Sequence, residues 1–370
     1  MRKLISLFLA WTLLIGIFAG CVSEDGGQRD TITVTDLLGR EVSVPGEVSR
    51  VVCIGAGALR LYCYVGDMAK LCGVEECEKG FLISVRPYQT LHEELFRSLV
   101  SIGSGGPKGA PDAEAILSAR PDVIFSLYTS DVSAMDELQA KTGIPVVVLS
   151  YGKTEAFDES LLQSLTLMGK VLGRVERAKQ VTDTIHSIAD DLDTRTKDIP
   201  DNQKKTVYLG CQSNYGTHGI GSTTAEYSLF DAVHARNVLD LAGYHGYQKA
   251  LDMETLVTLD PEVMFLDAGG LSVLAEEYRK NGSVFENMRA FRNGEVYLTM
   301  PYNAYYTNLE IAYVNAYFIG KTLYPEAFAD VEIGAKAEEI STALLGQNVF
   351  SFVTAAIPNG YERLDVSLFR

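Results

Sequence analysis

Residues 112–125, Asp112-Ala-Glu-Ala-Ile-Leu-Ser-Ala-Arg-Pro-Asp-Val-Ile-Phe125, recur without a gap as residues 252–265, Asp252-Met-Glu-Thr-Leu-Val-Thr-Leu-Asp-Pro-Glu-Val-Met-Phe265. Every matched pair is 140 positions apart. Each copy reads as an acidic N-cap, a short amphipathic helix, a proline that stops it, and an apolar run with strand character. One such unit is common in α/β chains, so the flanks decide its meaning. Arg50-Val-Val-Cys-Ile-Gly55 matches Lys205-Thr-Val-Tyr-Leu-Gly210 at an offset of 155, and Ile144 to Leu149 roughly matches Glu295 to Thr299. Three correspondences in one order imply two related lobes.

The apolar runs 50–55, 123–128 and 145–150 read as strands buried on both faces, with helices between them at 113–119 and 133–141. Ahead of them, Ile32 to Pro45 reads as a hairpin turning at Gly39-Arg40. The fold class is α/β, as two three-layer lobes with mostly parallel sheets. Between the lobes, Leu161, Leu165, Met168, Leu172, Val175, Ala178, Val181, Ile185, Ile188 and Leu192 recur at steps of three and four. With no proline from 157 to 196, this spacing predicts one continuous helix. About 1.5 Å per residue makes it roughly 60 Å long, a spine for the molecule or else a coiled-coil partner helix.

The expected organisation is a leader at 1–20, a tether at 21–30, an N-terminal lobe at 31–155, a linking helix at 156–197 and a C-terminal lobe at 203–370. In the leader, Met1-Arg2-Lys3 precedes an apolar run from Leu4 to Ala19 and then Gly20-Cys21, the pattern of a secretory signal. An uncleaved anchor is the alternative. Phe18-Ala-Gly-Cys21 looks like a lipobox, in which Cys21 is acylated and becomes the new amino terminus. Two acyl chains suffice for stable attachment, so the expectation is a protein outside the cytoplasm that touches the membrane through its lipid only.

The chain has 370 residues, with 32 basic against 48 acidic side chains and a formal charge of −16. Such a balance disfavours a phosphate backbone and argues against nucleic acid as a partner. After Cys21 five cysteines remain, without a CxxC pair, so no zinc framework is indicated. Cys72 and Cys77 either close a small loop or serve as small apolar side chains. No GxSxG, HExxH or dinucleotide fingerprint is present, and the expectation is that the protein is not an enzyme. An exported metal-cofactor enzyme and a passive adhesin are the alternatives from other classes.

Taken together, the lipobox, the Gly39-Arg-Glu-Val-Ser-Val-Pro45 hairpin, the joined lobes and the paired repeat resemble the substrate-binding proteins of iron-chelate and cobalamin ABC importers. The likeness covers residues 31 to about 350. It is greatest to the iron-complex branch in Gly55-Ala-Gly-Ala-Leu-Arg60, Arg86-Pro-Tyr88, Tyr215-Gly-Thr-His218-Gly and Pro301-Tyr-Asn-Ala-Tyr-Tyr-Thr-Asn308. The resemblance implies a ligand cleft between the lobes. It implies a monomer that carries a small-molecule metal chelate, a siderophore-like ferric complex, to a permease dimer with its ATPase, and no resident cofactor. Cobalamin, haem and a molybdate-like oxyanion are the alternative cargoes.

Ligands of open α/β sheets bind beyond the carboxyl ends of the strands, which selects the loops after residues 54, 127, 209, 266 and 298. The expected ligand contacts are Arg60, Arg86, Tyr88, Tyr215, His218, Tyr302, Asn303 and Tyr306. The arginines suit capture of carboxylate-like oxygens. Tyrosines can stack on an organic chelator, offer phenolate to iron or pack under a loop, and stacking with hydrogen bonding is favoured. His218 has no second ligand at helical spacing, so no side chain is assigned to a metal. Glu114 and Glu254 hold equivalent positions at the starts of equivalent helices, where negative charge also suits the helix dipole. The resemblance makes them the acidic pair that meets permease arginines, one per lobe.

Overall fold

A computed structural model describes residues 30–80, 86–106, 109–153, 155–214, 216–357 and 360–369. The expected leader with Cys21, most of the tether, and Tyr215 lie outside the described residues.

The repeat is built as its sequence dictates. Asp112 Oδ1 accepts from the Glu114 and Ala115 amides at 3.1 and 3.0 Å, and Asp252 Oδ1 accepts from the Thr255 amide at 2.8 Å. These caps start the helices Ala113–Ala119 and Met253–Leu259. Both helices end on a residue with left-handed backbone, Arg120 and Asp260, and the following prolines prevent their continuation. The acid after each proline then ties the unit to its neighbour strand: Asp122 Oδ2 accepts from the Arg50 amide at 2.9 Å, and Glu262 Oε2 from the Thr206 amide at 2.8 Å.

The strands Val51–Ile54, Val123–Ser126 and Val146–Val148 pair in parallel in that order. In the second lobe Thr206–Gly210, Val263–Asp267 and Val296–Thr299 repeat the order, with Arg236–Asn237 added at the edge. The two sheets are separate. Alternate side chains point to opposite layers. Val51, Cys53, Val207, Leu209, Val263 and Phe265 join one inner core that runs through both lobes. Val52, Ile54 and Ile124 face an outer core with Ile116 and Met135, while Tyr208, Met264 and Leu266 face another with Leu256 and Leu274. The hairpin Thr31–Thr35 with Glu41–Pro45 docks on the first sheet, where Asp36 Oδ2 accepts from the Val148 amide at 3.2 Å.

The continuous helix expected over 157–196 is two helices, Glu159–Val171 and Val175–Thr196. Gly173 adopts φ 64°, which ends the first helix, and the second turns back sharply enough that a Cβ on Gly169 would lie 2.3 Å from that of Ala178. Apolar periodicity survives the break because both helices bury the same face in one core, so the pattern alone hid it. The linking rod is the second helix, about 33 Å long. It packs on the helix Ala58–Val65 of the first lobe and on Leu309–Leu323 and Ile333–Leu345 of the second. Arg177 joins both sides: its Nε donates to the Tyr64 carbonyl at 2.8 Å and its Nη2 to the Leu344 carbonyl at 2.7 Å.

Candidate functional site at the lobe junction

The carboxyl ends of both sheets meet at one junction. On the first lobe it is lined by Gly55-Ala-Gly57 and by two carboxylates after the short strand Gly73–Val74, Glu75 and Glu78. Both are buried. Glu75 Oε1 accepts from the Gly55 amide at 3.1 Å, and Glu78 takes the Tyr88 hydroxyl between its two oxygens at 2.9 and 2.8 Å. Burial pushes both carboxyls above their ordinary range, against the hydrogen bonds from Tyr305 and Gly55 at Glu75 and against Arg86 and Tyr88 at Glu78. Between them the Cys77 thiol is pushed up to about 12, by burial first and then by the two carboxylates.

The second lobe contributes the loop 301–308. Its residues Tyr305 and Tyr306 adopt φ of 54° and 74°, adjacent positive values that non-glycine residues rarely take. The Tyr305 hydroxyl crosses to the first lobe, donating to Glu75 Oε2 at 2.8 Å and accepting from the Gly106 amide at 3.0 Å. Its ring lies 5.2 Å from the Arg86 guanidinium. The Tyr306 ring meets Tyr151 of the first lobe with centroids 4.5 Å apart.

Arg60 occupies a different place from the one expected. It is 0% exposed, and its guanidinium donates to Asn308 Oδ1 and the Thr307 carbonyl at 3.1 Å each and to the Ala304 carbonyl at 2.7 Å. All three acceptors belong to the opposite lobe, and Tyr88 lies beneath, 4.8 Å from the guanidinium to the ring centroid. In this closed arrangement Arg60 clamps the lobes, and Tyr88, also 0% exposed, is part of the packing rather than an open wall. Arg86 does stand at the junction. It stands at the N-cap position of the helix Pro87–Leu91, lies 3.8 Å from Glu78 and keeps a buried Nε with no hydrogen-bond partner among the described residues.

Tyr302 is half-buried and 6.5 Å from the Tyr227 ring. Asn303 Nδ2 donates to the Ser213 carbonyl at 3.2 Å, which holds the loop 301–308 against the loop after Gly210. His218 stays within that second loop, its Nε2 2.7 Å from the Asn214 carbonyl. Asp267 fastens the same wall, accepting from the Ser213 and Gly269 amides at 2.9 and 2.8 Å. Arg86 and Tyr306 thus meet rings of the opposite lobe, Tyr302 and Asn303 share the loop that carries Tyr306, and Arg60 and Tyr88 are buried behind. The sequence reading missed Glu75, Glu78, Tyr151 and Tyr305. The three acids of Val74-Glu-Glu-Cys-Glu78, directly after an apolar run, were the available signal. Of the two readings of Cys72 and Cys77, loop closure is not the one the structure shows: both thiols are free.

The family profile described as periplasmic binding protein matches residues 63–302. The chain belongs to the periplasmic binding protein family. Among relatives of this periplasmic binding protein, an uncharacterized ABC transporter substrate-binding lipoprotein of Bacillus subtilis, YvrC, is 20% identical over 311 residues, covering 81% of this chain and 91% of its own. The molybdate-binding protein MolA of Haemophilus influenzae is 22% identical over 318 residues, 81% of this chain and 87% of that one. A solved periplasmic solute binding protein of Veillonella parvula superposes with a TM-score of 0.66 at 17% identity, covering 92% of this chain and 98% of that chain. The periplasmic binding protein is thus an extracytoplasmic solute-binding component of an ABC importer, working with permease and ATPase parts, and not an enzyme. No helix among the described residues is long and apolar enough to cross a membrane.

Proposed function

We propose that this binding protein carries an organic metal chelate, a siderophore-like ferric complex, held between the lobes while tethered to the membrane through acylated Cys21, and that it works as a monomer. The observation that carries the reading is the pair Tyr305-Tyr306. Two adjacent tyrosines held in left-handed backbone cost on the order of 1 kcal/mol or more each, and such strain concentrates where a loop serves a ligand. With Tyr151, Tyr302 and Arg86 they make an aromatic, cation-bearing junction suited to a planar organic ligand. Arg86, Tyr302, Asn303, Tyr306 and His218 are the proposed contacts, together with Tyr215, which lies outside the described residues. Arg60 and Tyr88 support them from behind.

A molybdate-like oxyanion is the second reading, favoured by the molybdate-binding relative and by Arg86 Nε, which has no partner among the described residues. Against it stands the charge of the junction. The Gly55 amide, an obvious oxyanion donor, is already taken by Glu75, and Glu78 lies beside Arg86.

Thermal denaturation of the purified protein with ferric hydroxamate, ferric catecholate, haem, cobalamin or molybdate separates the cargoes. A ligand at a hundredfold excess over Kd adds about 2.7 kcal/mol of stability. A shift with a ferric chelate is the expected result; a shift with molybdate alone replaces the reading.

A further inference from the structure

The Tyr305 side chain belongs to the second lobe, yet both hydrogen-bond partners of its hydroxyl among the described residues lie on the first. Its oxygen donates to Glu75 and accepts from the Gly106 amide. The Arg86 guanidinium covers the π-system at 5.2 Å. These groups are complementary to a phenol and to little else. Phenylalanine in that place would lose both hydrogen bonds, an aliphatic alcohol would lose the cation–π contact, and a carboxylate would face Glu75. We propose that Glu75, the Gly106 amide and Arg86 form a slot for a phenolic group of the solute, a slot that the Tyr305 ring fills in this structure.

Tyr305 is a strained occupant, because its backbone and that of Tyr306 sit in the left-handed region to bring the ring across. A ring delivered by a solute enters without that strain. Arg86 Nε is buried beside the slot without a partner among the described residues, so a ring carrying a second oxygen brings an acceptor that Tyr305 lacks. Burial and then the Glu75 carboxylate hold the Tyr305 hydroxyl well above the ordinary phenol range, so a phenol in this place keeps its proton. The identity of the visitor as part of a metal chelate rests on the function proposed above; the slot rests on Tyr305 and its partners.

Metal-free phenol and catechol are the probes, added to the purified wild type, Tyr305→Ala and Tyr305→Ala/Glu75→Ala, with binding read by thermal shift and calorimetry. Tyr305→Ala is expected to bind phenol about tenfold more tightly than wild type, and catechol more tightly than phenol, while cyclohexanol shows no such gain. Removing Glu75 as well returns phenol to the wild-type response. Equal phenol binding by wild type and Tyr305→Ala overturns the slot, as does phenol binding that survives loss of Glu75. Should Tyr305→Ala fail to fold, Tyr305→Phe keeps the ring and releases only the hydroxyl bonds, and it must still bind phenol more tightly than wild type. Phenol uptake by Tyr305→Ala with no ferric chelate bound by wild type removes the cargo reading and keeps the slot; the reverse result removes the slot alone.

Discussion

Glu310 lies in the first turn of the helix Leu309–Leu323 only 3% exposed, with one carboxyl oxygen accepting from the Tyr64 hydroxyl at 2.5 Å and the other without a partner among the described residues. Burial pushes its carboxyl above the ordinary value of 4.5, against the opposing help of Tyr64 and Arg60. The unfolded chain therefore releases this proton at a lower pH than the folded one. Stability from the group is complete below about 4.5 and drains as pH rises through the folded value, by about 1.4 kcal/mol for each unit of separation. Glutamine keeps the acceptor for Tyr64 and cannot ionise. Urea denaturation across pH should show Glu310→Gln gaining on wild type as pH climbs above 4.5; a gap that does not vary with pH counts against a buried carboxylate here. At this scale the sequence was least informative. Arg60 was visible as an arginine one turn into a helix, but its acceptors lie 244 to 248 positions away, and no local pattern encodes a contact across lobes.

Elements were more legible because their causes are local. An aspartate cap, a short amphipathic run and a proline fix each repeat helix, and β-branched runs fix the strands that follow, so both copies formed as read. The linking helix fared differently, since two helices sharing one buried face keep a single periodicity across their junction. What breaks the rod is Gly173, whose positive φ faces open space, and Gly169, whose surface touches Ala178. These two positions should respond differently to alanine. Gly173→Ala meets only the backbone penalty and should lower stability by about 1 kcal/mol. Gly169→Ala forces its new methyl against Ala178 and should cost about 1–3 kcal/mol, as overpacking does. Chemical denaturation of both variants measures the difference. If Gly173→Ala proves the more damaging, close packing at the elbow is not what sets the second helix.

Across the whole molecule, the twofold likeness of the lobes puts Glu114 and Glu254 in register. Each is the second residue of its repeat helix, each is exposed, and each helix begins at the end of its lobe where the strands finish and the junction opens. A permease dimer meeting that end would find one carboxylate on either side of the cargo, and this symmetry is the ground for proposing them as the docking pair. Their dipole role is small, about 0.3–1 kcal/mol each, so reversing both charges should leave the fold nearly as stable. Among the described residues no hydrogen bond or ion pair joins either side chain to those that line the junction, so affinity for cargo should hold. Transport should not: Glu114→Arg/Glu254→Arg places like charges against permease arginines, which costs several kcal/mol of docking and should reduce uptake at least about tenfold. Each single reversal should give an intermediate loss that shrinks at high salt, because exposed pairs are screened beyond about 8 Å at physiological ionic strength. Uptake into vesicles carrying the permease and its ATPase, run beside cargo binding in solution, separates the two effects. Unchanged uptake in the double variant, or a parallel fall in cargo affinity, removes these glutamates from the docking surface and leaves the helix dipole as their role.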